Sequence, residues 1–386
     1  MRIFKLNPDT DILKVMQKLG VDKLGIEIMK KKSSKFMFYI KDISCGAANI
    51  LKQDALSIGA ELAVPMGAPN CKKSRFDAIL FCNQKQLEIL SKKELTQPFK
   101  LKDLAKELKS FINLPKFPLK IMGVINANDD SFFEGSRFRG NEAIKEIEKM
   151  IAEGAKILDI GGVSSRPGSV YPGVKEELRR VKPIIDEIYK TKLYEKAIFS
   201  IDTFKVEVLE YALDKGFKIA NDITGLESAD YAKVVAKYNA SVVIMHKKGI
   251  PKDMQKNPFY ENVILEVDEF FENRIKKAKS FGIKDIILDV GIGFGKRLED
   301  NVALIKHLEH FLHFGYEILM GASRKSMIDM IMQKEGVSIP AAKRLPGTLA
   351  IHMESVRNGA SIVRCHDVQD HFQALRVFEE IRNFDV

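Results

Sequence analysis

Asp202, Asn221 and Asp289 each stand at the end of a short apolar run and just before a turn. A carboxylate or amide at the edge of a covered strand costs free energy unless that edge is a working site. Together the three offer acceptors and donors to a flat, nitrogen-rich heterocycle with an amino-pyrimidinone edge. Arg166, Lys325, Arg364 and His366 fall at equivalent places and supply cations suited to an anionic group such as a diphosphate. Ile223, Met245 and Phe294 either pack on ring faces or belong to the plain core, the commoner place for aliphatic and Met side chains near strand ends. The chemistry implied is a pocket that holds a flat ring on its floor and a phosphate group at its rim.

The densest of these sequences is Ile286-Ile287-Leu288-Asp289-Val290-Gly291-Ile292-Gly293-Phe294-Gly295-Lys296. Its spacing does not match a P-loop, and Arg297 stands where that motif needs a hydroxyl. The glycines are expected to let backbone approach a ligand closely, and Lys296 either steadies the loop or faces the substrate. His307, His310 and His313 lie three apart on an expected helix, away from the strand ends, and read as a helix face rather than a metal site. Any single Asp or Asn before a helix could be a cap. The recurrence of such residues around the chain argues for a site.

Eight apolar runs carry these residues: 119–126, 156–160, 197–202, 218–222, 241–246, 285–289, 317–321 and 361–364. Amphipathic segments such as 141–153, 175–190, 262–281 and 341–358 lie between them and are long enough to cross back and start a parallel neighbour. Eight βα units predict a closed (β/α)8 TIM barrel, with its chemistry at the C-terminal ends of the strands. The first third differs in design. Strands are expected at 2–6, 36–40 and 78–81, and helices at 9–19, 47–58, 84–90 and 101–111. The division predicted is a small basic α/β domain of unknown role at 1–112, a proline-containing linker at 113–118, and the barrel at 119–386.

The 386 residues, 45% hydrophobic and 30% charged, have the composition of a globular protein of two domains. Of the net charge of +10, residues 1–115 carry +9 and the remainder +1. This basic third reads as a solvated face; without an aromatic RNA-binding signature no nucleic-acid partner is expected. No apolar run spans a bilayer and the N-terminus lacks a signal-peptide core, so no membrane partner and a cytoplasmic location are expected. Cys45, Cys71, Cys82 and Cys365 show no paired spacing and are expected as reduced thiols.

Taken in order, the motifs resemble the dihydropteroate synthase family over residues 118–386. They are Met122-Gly123-Val124-Ile125-Asn126 with Asp130-Ser131-Phe132, then Asp159-Ile160-Gly161-Gly162 with Ser164-Ser165-Arg166-Pro167-Gly168, and Ser200-Ile201-Asp202-Thr203. Asn221-Asp222-Ile223, Met245-His246 with Gly249 and Pro251, Gly291 to Lys296, Ser323-Arg324-Lys325 and Arg364-Cys365-His366-Asp367-Val368 follow. The resemblance implies condensation of 7,8-dihydropterin-6-methyl diphosphate with 4-aminobenzoate, giving 7,8-dihydropteroate and diphosphate for folate synthesis. It implies a pterin site of Asp202, Asn221, Asp289 and Lys325 with Arg364 against the ring. Asn126 and His366 are implied at the diphosphate, with Asn126 the contact to a Mg2+ cofactor. Phe132, Ser165, Arg166, Pro167 and Ser323 are implied at the aminobenzoate, where sulfonamides would compete. A homodimer through the outer helices is implied as well.

The chain departs from the family pattern at a few places. Ala127-Asn128-Asp129 replaces Val-Thr-Pro after the first strand, and Glu134 stands for the usual Asp. Val163 replaces a glutamate, Ser165 a threonine and Val290 a proline. None removes an implied pterin or diphosphate contact; they bear on loop dynamics and aminobenzoate affinity. A methyltetrahydrofolate-dependent methyltransferase would share the acid and amide floor but has no need of the Ser-Arg-Pro loop, Ser323-Arg324-Lys325, or the Arg364 and His366 pair. A non-catalytic pterin-binding paralogue has only the altered first loop in its favour.

Overall fold

Runs such as Ile-Ile-Leu and Val-Val-Ile, apolar at every position, form stable strands only when both faces are covered, which is the condition inside a ring of helices. The computed structural model describes the chain except for residues 9, 128–140, 164–168, 250–253, 255–256 and 385–386. It contains two compact units: residues 1–114 with the C-terminal end from Glu379, and Pro115–Phe378.

In the first unit the elements are α1 (Ile12–Lys18), α2 (Lys23–Ser33), β1 (Phe36–Ser44), α3 (Cys45–Ser57), β2 (Glu61–Ala63), β3 (Arg75–Cys82), α4 (Gln84–Lys93) and α5 (Leu101–Ser110). The strands form an antiparallel sheet in the order β1-β3-β2. Alternation sends Ala78, Leu80 and Cys82 of β3 into a core with Leu51, Ala55, Leu87, Leu90, Leu101 and Leu108. Asn83 starts α4 with a reciprocal cap to Gln86, side chain to backbone in both directions.

Three expectations for this unit are corrected. Residues 2–6 form no strand; Ile3 and Phe4 are exposed, and no neighbouring strand accepts their backbone. α2 and the three-residue β2 are additional, the latter too short for its alternation to stand out. Cys45 and Cys71 form a disulfide rather than staying as thiols. Ser44, which caps α3 by accepting from the Ala47 amide, sets Cys45 at the helix start, and a 3₁₀ turn at Ala68–Asn70 brings the two Cα atoms to 5.6 Å.

The second unit holds β4 (Lys120–Asn126), α6 (Asn141–Ala152), β5 (Ile157–Gly161), α7 (Val174–Lys190), β6 (Ile198–Asp202), α8 (Val206–Asp214), β7 (Ile219–Asp222) and α9 (Ala229–Lys237). It continues with β8 (Ser241–Met245), α10 (Val263–Ser280), β9 (Ile286–Asp289), α11 (Leu298–Lys306), β10 (Glu317–Met320), α12 (Ser326–Gln333), α13 (Leu345–Arg357), β11 (Ile362–Cys365) and the part to Phe378 of α14 (Val368–Asn383). The strands β4 to β11 pair in parallel and close a barrel of eight, β11 pairing with β4. Seven of them each send one apolar residue to a single internal layer: Met122, Ile157, Ile219, Val243, Ile287, Leu319 and Ile362. That layer is the floor on which the site stands.

Candidate active site

Side chains two residues apart on a strand share a face. Two positions beyond the apolar layer, toward the strand C-termini, come Asp159, Asn221, Met245, Asp289, Gly321 and Arg364, and Asn126 stands four beyond Met122. On β6 the same alternation carries Ser200 and Asp202. A polar layer thus lies directly on an apolar one. Gly161 and Gly321 leave gaps in it: a Cβ at Gly161 would lie 3.8 Å from Asp202 Oδ2 and 3.9 Å from Asn126 Oδ1, and one at Gly321 would lie 3.9 Å from Asp289 Oδ2.

Asp159, fully buried, organises this layer. Its Oδ1 accepts from the Ser200 hydroxyl at 2.5 Å, and its Oδ2 accepts from Asn221 Nδ2 at 3.0 Å and from Arg364 Nε at 2.7 Å. Arg364 also donates from Nη2 to Asp202 Oδ2 at 3.0 Å. The Asp289 carboxylate accepts from the Gly291 amide at 2.7 Å. Lys325 donates to the Ile292 carbonyl, and its Nζ sits 4.5 Å from the centre of the Phe294 ring.

Burial dominates the titration of these groups. It pushes the Asp202 carboxyl up to about 7, against the pull of the Arg364 guanidinium. It also raises Asp289, partly offset by Lys325, and lowers Lys325 to about 8 against the pull of Asp289. His366 is driven down to about 3 by burial and by the nearby Arg364 cation. Both effects favour the neutral imidazole, whose Nδ1 meets the Ser323 hydroxyl at 2.9 Å.

The glycine-rich turn after β9 packs against protein backbone. Gly291 and Gly295 have φ of +67° and +64°, and a Cβ on either would lie 1.9 Å from the His246 carbonyl oxygen or 2.0 Å from that of Lys248. The turn packs on the chain leaving β8 so closely that only glycine fits at these two positions. Lys296 fastens the same contact. Its buried Nζ donates to the carbonyls of Gly291 at 2.9 Å, His246 at 3.2 Å and Phe294 at 3.2 Å, and meets His246 Nδ1 at 2.9 Å. Of the two roles considered for Lys296, loop support is the one its contacts describe.

A sequence profile of the pterin binding enzyme family matches residues 122–366. The chain belongs to that family. It is 41% identical to the bifunctional dihydropteroate synthase/dihydropteroate reductase of Helicobacter pylori over 386 residues, covering 100% of both chains. It is 37% identical to the dihydropteroate synthase of Haemophilus influenzae over 267 residues, 68% of this chain and 94% of that protein. The solved structure of Xanthomonas albilineans dihydropteroate synthase with 4-aminobenzoic acid superposes with a TM-score of 0.62 at 35% identity, over 69% of this chain and 94% of that one.

In this pterin binding enzyme the strand ends bring Asn126, Asp202, Asn221, Met245, Asp289 and Arg364 to one end of the barrel. Ile223 and Met245 are buried. Phe294 and Lys325 join them from the loops after β9 and β10, and Ser323 with His366 spans the exits of β10 and β11. Phe132, Ser165, Arg166 and Pro167 lie outside the described residues. Asp222 turns away from this set to hold its own turn, accepting from the Thr224 amide at 2.7 Å and the Leu226 amide at 2.8 Å.

Arg324 and Asp367, quoted in the sequence motifs without a role, pair where β10 and β11 end. Arg324 is buried and doubly bonded to Asp367, Nε to Oδ2 at 2.9 Å and Nη2 to Oδ1 at 2.6 Å. Behind it runs a directional chain. The Ala322 amide donates to His352 Nε2 at 3.2 Å, so His352 must carry its proton on Nδ1, which donates to His371 Nε2 at 2.8 Å; His371 Nδ1 then donates to the Asp367 carbonyl at 2.6 Å. Burial lowers the pKa of both imidazoles, which keeps the chain neutral. It ties the exit of β10 to the exit of β11.

Proposed function

We propose that the barrel is a dihydropteroate synthase: it condenses 7,8-dihydropterin-6-methyl diphosphate with 4-aminobenzoate, releasing diphosphate and giving 7,8-dihydropteroate. The observation that carries this reading is the polar layer of Asp159, Asp202, Asn221, Asp289 and Arg364 on the barrel floor, with Lys325 beside it. The names of its relatives support it.

In this reading the carboxylates of Asp202 and Asp289 accept from the amino and ring N–H groups of the pterin, and Asn221 and Lys325 donate to its ring acceptors. The aminobenzoate nitrogen attacks the pterin methylene as the carbon–oxygen bond to diphosphate breaks, and the amine releases a proton. Positive charge developing on the methylene and ring is favoured by the buried carboxylates, which is differential binding of the transition state. His366 and Ser323 face the leaving group. Phe132, Ser165, Arg166 and Pro167, with Ser323, take the aminobenzoate and, in competition with it, sulfonamides.

Asn126 offers an amide oxygen, a donor suited to a hard cation that keeps waters and binds substrate phosphates. A Mg2+ ion there would supply neutralisation of the leaving diphosphate. Action as a homodimer through the outer barrel helices, in the cytoplasm, accompanies the reading; among the described residues no helix is long and apolar enough to cross a membrane. The test is product identity: incubation with both substrates and Mg2+ should give the mass of dihydropteroate, and its absence would refute the assignment.

A second activity is supported by coverage. The relative named as a synthase and reductase aligns along its whole length, whereas the Haemophilus influenzae synthase aligns over 68% of this chain. We assign to the full chain the reduction of dihydropteroate to tetrahydropteroate, by a hydride from a reduced nicotinamide or flavin and a proton from water. Product two hydrogens heavier, formed only with the hydride donor, is the expected result.

A further inference from the structure

On the helix layer of the barrel, Asp268 of α10 meets two histidines of a 3₁₀ segment, Leu308–Phe314, that leads into β10. A 3₁₀ helix has three residues per turn, so side chains at i and i+3 eclipse. That geometry sets the rings of His310 and His313 side by side with centres 5.2 Å apart, whereas α-helical winding would fan them by some 60°. Both turn Nε2 toward one carboxylate oxygen: His310 Nε2 lies 3.0 Å and His313 Nε2 2.7 Å from Asp268 Oδ1. One ligand atom from each residue falls within 4.8 Å of the others. His307, the third histidine of the sequence pattern, is not a member of this cluster.

Two imidazole nitrogens and a carboxylate oxygen converging on one point are the donor set of a divalent transition ion. Bonds of about 2.0–2.2 Å to a tetrahedral ion hold its donors roughly 3.3 Å apart. The two nitrogen–oxygen pairs reach that spacing by opening a few tenths of an ångström, and the two nitrogens lie within 4.8 Å of one another. The side chains are 27%, 15% and 26% exposed for His310, His313 and Asp268, so an ion could enter from solvent and keep water at its fourth position. Phe314 and Phe311 pack against the two imidazoles and restrict their rotation. In the ion's absence, the carboxylate takes both imidazole N–H groups. Burial raises its pKa, but the two hydrogen bonds outweigh that and hold it at about 2. Loading exchanges the two hydrogen bonds for bonds to the ion, each neutral imidazole presenting Nε2 and carrying its proton on Nδ1.

We propose that Asp268, His310 and His313 form a binding site for a divalent transition ion of the zinc class, separate from the pterin pocket. The ion fastens α10 to the segment that feeds β10, the strand whose far end presents Ser323 and Lys325. The site differs in chemistry from that of Asn126, whose lone amide oxygen suits Mg2+ and not zinc.

The test uses the untagged full chain, stripped with chelator, incubated with zinc sulfate, desalted and assayed for bound metal, alongside H310Q/H313Q and D268N. The native chain should hold about one zinc ion more than H310Q/H313Q, and D268N should bind it weakly. Cobalt loading of the native chain, which does not depend on either variant folding, should give visible d–d absorption bleached by zinc. Equal zinc in the native chain and H310Q/H313Q, or a cobalt-treated native chain without that absorption, would overturn the proposal.

Discussion

Arg364 on the last strand of the barrel donates to Asp159 on the second, Nε to Oδ2 at 2.7 Å, across the intervening β4. The same guanidinium reaches Asp202 on the third strand at 3.0 Å. One cation therefore ties three strand ends together and holds two carboxylates at a fixed separation. Asp159 also orients the amide of Asn221, so Arg364 and Asn221 both depend on it.

Replacing Asp159 by Asn keeps the volume and removes the charge that fixes Arg364 and Asn221. Hydrogen bonds to charged groups contribute about 1.5–3 kcal/mol. The D159N enzyme should lose about 100-fold in kcat/KM for the pterin diphosphate while KM for aminobenzoate moves little. An equal rise in both KM values would mean that Asp159 supports the barrel generally and not the pterin floor.

In the proposed reading Asp202 and Lys325 meet the ring itself, and Asp202→Ala and Lys325→Ala remove those groups. Each should lower kcat by about 1,000-fold or more, with an unchanged circular dichroism spectrum. Near-native kcat in either variant would contradict the role given to that residue.

Protonation should act through Asp202. With its carboxyl raised to about 7 in the free enzyme, acidification below neutrality converts an acceptor into a donor at the pterin amino edge. Pterin affinity should fall up to about tenfold per pH unit below that point, and D202N should bind weakly with little pH dependence. Titration calorimetry with a non-reactive pterin from pH 5.5 to 8.5 measures both.

Lys296 gives the opposite signature in stability. Burial holds its amine at about 7, below its ordinary value of 10.5, so between those pH values the unfolded chain binds more protons than the folded one. Its contribution to stability therefore rises with pH through that window and falls as pH drops toward 7. The destabilisation caused by K296M should accordingly grow between pH 7 and 9.5, by up to about 1.4 kcal/mol per unit. Urea unfolding of both proteins across that range checks it. A difference independent of pH would show that the lysine is buried with its charge intact.

The eight strands and the residues at their ends were legible because an apolar run closed by Asp, Asn or Arg is costly anywhere but a site, and the pattern recurs around the chain. Asp159, quoted only as part of a motif, carries no site role in the sequence because Ile160 and Gly161 continue its strand past it, so it does not read as an end. The signal was present: Asp159 follows Ile157 by two, as Asn221 follows Ile219 and Asp289 follows Ile287. The histidine chain from Ala322 to Asp367 and the Cys45–Cys71 disulfide pair residues brought together by tertiary packing, which local spacing does not encode. The glycines of the β9 turn were visible, but only the neighbouring carbonyls of His246 and Lys248 explain them.

The central claim is the condensation itself. Diphosphate release by the full chain, followed with a coupled colorimetric assay in Mg2+, measures it directly when each substrate is omitted in turn. Release should require both the pterin diphosphate and 4-aminobenzoate and be suppressed competitively by a sulfonamide. Release independent of aminobenzoate, or none with both present, would contradict the account.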